Sequence, residues 1–441
     1  MGAQGVKPPA VGIRRSPLSI LYPSLPVEPM TTSAACRFCN APLVHTLVDL
    51  GMSPLCESYV SADRLNAMEP FYPLHALVCD RCWLVQLQEY VSGEAIFSDY
   101  AYFSSYSDSW VEHAKRYVAA MIARFGLGPT SKVFEVASND GYLLQHVVAA
   151  GVPCLGIEPA ANVARVAVER GIPTVVHFLG RRTAEDIARE HGRADLVAAN
   201  NVMAHVPDLN DFVAGLAGLL KPTGVLTVEV PHLVRLIAEN QFDTIYHEHF
   251  CYFSLVAAER VFAKHGLVLF DVEELTTHGG SLRYFARPAD DDSKPVGPRV
   301  AALRERERAL GVESLEYYRG FTRQVEETKR QLLTFLIGAR RAGKRIVGYG
   351  APGKGNTLLN YCGIRTDFLD YTVDRSPHKQ GMFLPGTHIP IHHPDRIQQD
   401  RPDYVLILPW NLKDEIVNQL AFIREWGGKF VVPIPETRVL Q

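Results

Sequence analysis

The stretch TIYHEHF, Thr244 to Phe250, sets one phenol, two imidazoles and a carboxylate on four consecutive residues. Histidine titrates near neutrality and a neighbouring carboxylate can raise or orient it, so Tyr246, His247, Glu248 and His249 are candidates for acid/base work. They do not form an HExxH zinc helix, because His247 and His249 are two apart rather than four and Glu248 lies between them. In a helix two such histidines diverge by about 200 degrees, and they share a side only on extended backbone. Proton transfer is therefore a stronger reading than metal binding. A polar loop whose histidines merely cap backbone groups is the bland alternative.

A metal is expected elsewhere. Of the eight cysteines, Cys36, Cys39, Cys79 and Cys82 form two CxxC pairs, whereas Cys56, Cys154, Cys251 and Cys362 are scattered among apolar neighbours. Two CxxC turns can aim four thiolates at one tetrahedral zinc ion, and a site closed by four thiolates leaves no position for a reacting water. The ion would be structural, with two disulfides or a redox pair as the competing readings. The 39 residues between the pairs include MSPLCESYV and FYPLHALVC and predict a small folded module rather than a bare finger.

The elements that must position this chemistry follow from periodicity. WVEHAKRYVAAMIARFG predicts an amphipathic helix, and SKVFEVASNDGYLLQHVVAAG predicts a strand, a tight turn and a helix. VPCLGIEPA, DLVAANNVMAHV, DFVAGLAGLLKP and GVLTVEV continue the alternation, which defines an α/β unit with a mostly parallel sheet. Ligands of such sheets bind at the carboxyl ends of the strands. The first strand finishes at Glu135 and runs into ASNDG, where Gly141 allows close backbone approach and Asn139 and Asp140 offer polar contacts. The next strand ends in Glu158, 23 residues after Glu135, placed to accept from two ribose hydroxyls. The GxGxxG of dinucleotide sites is missing, which favours a nucleoside cofactor without a pyrophosphate, such as S-adenosylmethionine, over NAD.

EVASNDG, Glu158 after GI, NNVMAHV, the VEVPH strand end, FDTIYHEHFCYFSL and THGGSLR at 277 to 283 together resemble the sugar C-methyltransferases of antibiotic deoxysugar pathways. The likeness runs over nearly all the chain after residue 31, and its most specific parts are the cysteine pairs, the SNDG turn and the YHEH block taken together. Ala137 and Asn139 stand where methyltransferases often carry glycine, and SNDG is the form this family resembles. The resemblance implies methylation at C-3 of a nucleotide-linked 4-ketosugar, with dTDP as the nucleotide, by way of an enolate or enediolate and with inversion. On this resemblance His249 is the base, Tyr246 an oxyanion donor and Glu248 an orienter of the C-3 substituent. His205 bridges donor and sugar, and Tyr100 closes the pocket; His247 stays open as the rival base. Ser138, Asn200 and Asn201 join Glu135, Asn139, Asp140, Gly141 and Glu158 in the expected cofactor site.

Further along, RIVGYGAPGKGNTLLNYCG repeats the strand, glycine turn and helix, followed by FLDYTVD, DYVLILPW and KFVVPIPE as later strands. GAPGKGN lacks the GK[ST] ending of a P-loop, so ATP hydrolysis is not expected. The family resemblance instead suggests that this unit anchors the nucleotide, with Gly350, Lys354, Asn356 and His378 as candidate substrate residues and Lys379 beside them. The expected organisation is a flexible leader at 1–30, a zinc-binding module at 31–108, an S-adenosylmethionine-binding unit at 109–285 and a second Rossmann-like unit at 286–441. A length of 441 residues at 47% hydrophobic content suits several domains. No apolar run reaches a membrane span, and 45 basic against 48 acidic residues give a net charge of −3, offering no global attraction to nucleic acid. A cytoplasmic monomer is expected. An O- or N-methyltransferase acting on a nucleotide sugar, a nicotinamide-dependent nucleotide-sugar dehydrogenase, and a zinc-bearing binding factor are the alternatives.

Overall fold

The computed structural model describes residues 34–93 and 104–440. The expected leader and Tyr100 lie outside the described residues. Three sheets organise the rest.

In the amino-terminal part, β1 (His45–Ser53), β2 (Tyr72–Val78) and β3 (Val85–Gln86) pair antiparallel. Alternation along β2 gives this small sheet two apolar faces. Leu74, Ala76 and Val78 pack into the core shared with the carboxy-terminal unit, while Leu77 and the adjoining Cys79 pack into the core of the central unit. The two cysteine knuckles are alike. In each, a left-handed residue follows the second cysteine, Asn40 at φ 61° and Trp83 at φ 65°, and its backbone N–H returns to the carbonyl of the first cysteine. That geometry turns both pairs inward: the four Sγ atoms lie within 4.8 Å of one another, with Cys36–Cys82 and Cys39–Cys79 at 3.5 Å. A tetrahedron with bonds of about 2.3 Å has edges of about 3.8 Å, so the cluster fits zinc.

The central sheet is built from β4 (Val133–Val136), β5 (Cys154–Ile157), β6 (Thr174–Val175), β7 (Ala194–Asn200) and β8 (Leu220–Pro231). Its inner strands are apolar on both sides because helices cover both faces. The short strand β9 (Cys251–Tyr252) leaves this unit to pair with β3, so the zinc module's sheet takes its fourth strand from the stretch assigned to the methyl-donor unit. β10 (Leu267–Leu275) and β11 (Ser281–Pro288) return to complete seven strands in the order β10-β11-β8-β7-β4-β5-β6, with β11 antiparallel to both its neighbours. The strand order reverses between β4 and β7, which opens a crevice at their carboxyl ends.

After the helices Pro298–Ala309 and Phe321–Arg341, β12 (Ile346–Tyr349), β13 (Thr372–Val373), β14 (Ile391–His392), β15 (Tyr404–Ile407), β16 (Lys429–Val432) and β17 (Arg438–Leu440) form a third sheet. It is parallel except for β17 and is ordered β14-β13-β12-β15-β16-β17, with its own reversal between β12 and β15. Helix Pro298–Ala309 packs back on β10 and carries one buried charge, Glu307. Its carboxylate accepts from the Leu255 and Val256 backbone N–H groups at 2.9 and 3.0 Å and meets His232 Nε2 at 2.8 Å, capping the helix Leu255–Lys264. Among the described residues, no helix is long and apolar enough to cross a membrane.

Because the cysteine cluster is continuous with the core of the central sheet, losing the ion should loosen more than the knuckles. Cys36→Ser and Cys82→Ser are each expected to lose the metal and lower the thermal midpoint of the whole chain, read by metal analysis and calorimetry on the same sample. Full metal content in both variants would contradict the four-cysteine site.

Candidate active site

Both strand-order reversals and the TIYHEHF block open on one cavity of about 680 Å³. From the central sheet come Ala137 and Asn139 after β4, Glu158 after β5, and Asn200 and Asn201 after β7. The block itself contributes Tyr246, Glu248 and His249, the short 3₁₀ turn Met203–His205 contributes His205, and the carboxy-terminal unit contributes Pro352, Gly353, Lys354 and Lys379. Glu57 of the amino-terminal part completes this wall.

Local geometry explains why the block works as a unit. Its four residues form a turn, closed by the His249 N–H donating to the Tyr246 carbonyl at 2.8 Å. The corner residues, three apart, fall together: the Tyr246 and His249 rings are 4.0 Å apart, and the His205 ring meets His249 edge-on at 4.6 Å. His249 Nδ1 lies 2.9 Å from the Thr244 carbonyl. A carbonyl only accepts, so Nδ1 carries a proton, and in the neutral ring Nε2 is the basic nitrogen. His247 is turned the other way, with Nε2 donating to the Pro73 carbonyl at 3.2 Å and its ring edge-on to Tyr72 at 5.9 Å. It does not border the cavity. Burial lowers its pKa, so it stands as a neutral strut against β2.

Glu248 is almost fully enclosed, and the Cys56 thiol donates to its Oε1 at 3.5 Å. Burial, reinforced by the charge of Glu57, pushes its carboxyl up to about 8. At neutral pH Glu248 is thus a protonated acid able to donate as well as accept. Glu57 is balanced by Lys379, whose Nζ stands 3.4 Å from Glu57 Oε2 and 4.8 Å over the Tyr59 ring, and donates to the Ala351 carbonyl at 3.0 Å. Sequence reading passed over Cys56 and Glu57. The available signal was the acidic and aromatic pair beside Cys56 inside MSPLCESYV, an otherwise apolar segment.

On the other side of the cavity the SNDG turn takes an unusual path. Ala137, Asn139 and Gly141 all have positive φ, at 56°, 50° and 79°. The first two occupy glycine-like conformations despite their side chains, at a cost on the order of 1–2 kcal/mol for the alanine. Only at 141 is glycine demanded by space as well, since a Cβ there would meet Ile172 Cδ1 at 2.3 Å. Glu158 accepts from the backbone N–H groups of Asn139 and Ala160, each at 2.9 Å, while burial raises its pKa against these two donors. Asn200 Oδ1 and both amide atoms of Asn201 are buried without a hydrogen-bond partner among the described residues. Buried amides left unpaired on a cavity wall, beside a carboxylate and a turn that exposes backbone, fit a polar nucleoside ligand.

Of the remaining expected residues, Glu135, Ser138, Asp140, Gly350, Asn356 and His378 do not border the cavity. Glu135 and Ser138 are enclosed behind the turn, and Asp140 accepts from the Ser105 N–H at 3.3 Å and pairs with Arg170 at 3.3 Å. Gly350, at φ 88°, lets β12 turn under Pro409, and Asn356 donates to the Cys56 carbonyl at 2.6 Å. His378 is exposed and stacked on Tyr106, with centroids 6.3 Å apart. Lys354 does border the cavity, donating to Asn411 Oδ1 at 2.8 Å, and burial lowers its pKa.

Comparison with known proteins bears on this geometry. Residues 276–435 match a family described as "C-methyltransferase C-terminal domain", residues 110–272 a "Methyltransferase domain", and residues 36–97 a "Putative zinc binding domain". C-methyltransferase NovU from Streptomyces niveus is 38% identical over 405 residues, covering 92% of this chain and 96% of that protein. The chain belongs to the S-adenosylmethionine-dependent C-methyltransferase family. It is thus a methyltransferase whose methyl donor is S-adenosylmethionine and whose four cysteines form a structural zinc site. Ubiquinone biosynthesis O-methyltransferase from Xanthomonas campestris pv. campestris (strain B100) is 31% identical over 112 residues, a quarter of this chain and 45% of that protein. Among solved structures, magnesium protoporphyrin IX methyltransferase (ChlM) from Synechocystis PCC 6803 with bound SAM covers 41% of this chain and 81% of its own, at 16% identity and a TM-score of 0.32. The CcbJ methyltransferase from Streptomyces caelestis covers 40% and 90%, at 13% identity and a TM-score of 0.31.

The raised pKa of Glu248 fixes a sign. An unfolded glutamate releases its proton near pH 4.3, whereas the folded one holds it to about 8, so between these values the folded state binds more protons and stability falls as pH rises. Glu248→Gln should remove this contribution: the stability difference between variant and parent is expected to shift in the variant's favour from pH 5 to 8 in denaturant titrations. A difference independent of pH would mean that Glu248 is ionised in the folded protein.

Proposed function

We propose that this C-methyltransferase acts on C-3 of a nucleotide-linked 4-keto-deoxysugar, with dTDP the expected nucleotide, and that the transfer proceeds with inversion. The observation that supports the reading is that His249, its Nδ1 tied to the Thr244 carbonyl, borders the same cavity as the donor-site turn and the glycine turn of the carboxy-terminal unit.

Carbon needs a proton removed before it can attack. Next to a ketone, the C-3 hydrogen is acidified, and His249 Nε2 takes it while the C–H electron pair moves into an enolate whose charge rests on the C-4 oxygen. Tyr246, stacked against the base, donates to that oxygen. Glu248 holds the C-3 substituent, and its proton at neutral pH lets it serve a hydroxyl or an amine. His205, edge-on to the His249 ring, bridges the donor side and the sugar. Bound against Glu158, Asn139, Asn200 and Asn201, S-adenosylmethionine supplies an electrophilic methyl group. The carbon that has lost its proton would attack that methyl in line on the face opposite the base, which inverts C-3, the ketone re-forming as the S–CH3 electron pair returns to sulfur and leaves a neutral thioether.

The second reversal suits the nucleotide. The turn Gly350–Lys354 begins the helix Gly353–Cys362, whose first turn offers backbone N–H groups to a diphosphate. Lys354 adds a cation, with Lys379 on the sugar side of the same wall; Asn356 and Gly350 shape the turn. A zinc site of four thiolates suits a reducing compartment, so the reading places the enzyme in the cytoplasm.

Exchange of the C-3 hydrogen in deuterated water, with S-adenosylhomocysteine in place of the donor, isolates proton removal from methyl transfer. His249→Gln is expected to abolish both exchange and transfer, whereas His247→Gln should retain exchange. Tyr246→Phe should slow turnover about 100- to 1,000-fold, the usual loss for one oxyanion donor. Normal exchange in His249→Gln, with exchange lost in His247→Gln, would reverse the assignment.

A further inference from the structure

Arg37 stands between Cys36 and Phe38 in the first knuckle, and its half-buried side chain reaches out of that knuckle to two distant backbone carbonyls. Nη1 donates to the Pro207 carbonyl and Nη2 to the Leu87 carbonyl. The guanidinium also lies over the Phe250 ring, 5.2 Å from its centroid. Leu87 is itself tied to Phe250: its N–H donates to the Phe250 carbonyl at 3.0 Å, just beyond the pairing of Gln86 in β3 with Cys251 in β9. Gln86 fixes the root of the arginine. Its side-chain oxygen accepts from the Arg37 N–H at 2.9 Å, and its side-chain nitrogen donates to Cys36 Sγ at 3.1 Å.

These contacts join the two segments that carry the histidines of the cavity. Pro207 follows His205 by two residues, and His205, Val206 and Pro207 all border the cavity. Phe250 directly follows His249 and is buried, whereas His249 borders the cavity. The two imidazoles meet edge-on at 4.6 Å, although their segments are far apart in sequence. A guanidinium is a planar fork with its donors at fixed angles, so this one side chain spans the gap between the His205 segment and the strand pair beside His249. The knuckle has anchors of its own. Asn210 Nδ2 donates to the Arg37 and Phe38 carbonyls, each at 3.0 Å, and Lys264 Nζ donates to the Phe38 carbonyl at 3.0 Å. Those anchors hold the knuckle by its backbone, so fastening the knuckle and spacing the histidines fall to different groups.

We propose that Arg37 is a positioning residue for the reaction: its guanidinium, held by the Pro207 and Leu87 carbonyls and the Phe250 ring, sets the contact of His205 with His249 and thereby the place of the His249 imidazole in the cavity. The proposal rests on reading His249 as the base, since the place of that ring then governs proton removal. Arg37 does not border the cavity, so it acts through the histidines and not on a ligand. A misplacement of about 1 Å at a reacting group costs on the order of 100-fold in rate. Lysine keeps the charge at this position, but its compact ammonium does not reproduce the spacing of the two donors.

The test makes Arg37→Met and Arg37→Lys in the full-length zinc-loaded protein, with Asn210→Ala as the variant that frees the knuckle backbone and keeps the fork. Four quantities are read: ring NMR of ¹³C-labelled histidine, C-3 exchange and turnover on a dTDP-linked 4-keto-6-deoxyhexose, metal content and thermal midpoint. The His205 and His249 signals are assigned by their loss in His205→Gln and His249→Gln. Arg37→Met is expected to move both signals and to lower exchange and kcat together about 100-fold, with KM and metal content close to the parent's. Arg37→Lys should recover part of the rate. Asn210→Ala should lower the thermal midpoint and leave both signals in place. Unmoved His205 and His249 signals in Arg37→Met overturn the proposal whatever the activity, and so do signals that move equally in Asn210→Ala. Absence of exchange in the parent would instead overturn the reading of His249 as the base, and the ring signals, which need no substrate, would still decide whether Arg37 positions the histidines.

Discussion

The Tyr246–His249 turn has no sheet of its own, and the chemistry proposed for it depends on its being held from three sides. The pairing of β9 with β3 ties its carboxyl flank to the zinc module, and His247 donates to the Pro73 carbonyl of the same module. On its amino flank, the Thr357 hydroxyl in the carboxy-terminal unit donates to the Ile245 carbonyl at 3.1 Å, and the Trp410 indole donates to buried Asp243 at 2.7 Å. These supports flank the two rings of Tyr246 and His249, which lie 4.0 Å apart on the cavity wall. An ordering of this kind, with reacting groups on a loop and precision supplied by rigid neighbours, is what preorganised acid/base chemistry requires.

The zinc site acquires its meaning from that dependence. Four thiolates leave the ion no open position, so its contribution is to hold a sheet too small to be stable alone between two larger cores. Through that sheet the ion also bears on the place of Cys56 and Glu57, which reach the Glu248 carboxyl from outside the methyl-donor unit. The cavity consequently mixes polar groups from three parts of the chain: Glu57 with Lys379, a protonated Glu248, and His249 with Nδ1 tied to the Thr244 carbonyl. Such a mixture favours a ligand that is itself divided, anionic at one end and carbonyl-bearing at the other.

Much of this was legible in the sequence, for identifiable reasons. The central strands are apolar runs bounded by turn residues, and the cysteine spacing is a metal signature, so both sheets of Rossmann type and the cluster of four thiols follow from local pattern. What local pattern does not carry is direction. His247 and His249 are chemically alike, and only the turn sends one to β2 and the other to the cavity. Ser138, Asp140 and Asn356 sit in motifs that touch the cavity, yet their own side chains point into backbone and loop contacts behind it. Cys56 and Glu57 were obscured because their partner, Glu248, is 192 residues from Cys56 and meets it only through the β9 crossing. Ala137 and Asn139 read as departures from a glycine turn, although the backbone adopts the glycine conformation at both.

The central claim is that the chain makes a carbon–carbon bond beside a ketone, using a base and a donor site that share one cavity. The most direct measurement supplies S-adenosylmethionine labelled with ¹³C in the methyl group together with nucleotide-linked 4-ketodeoxysugars, and locates the label in the product by NMR. The account predicts a labelled methyl coupled to C-3 and attached to carbon. A label found on oxygen or nitrogen of the sugar would contradict it.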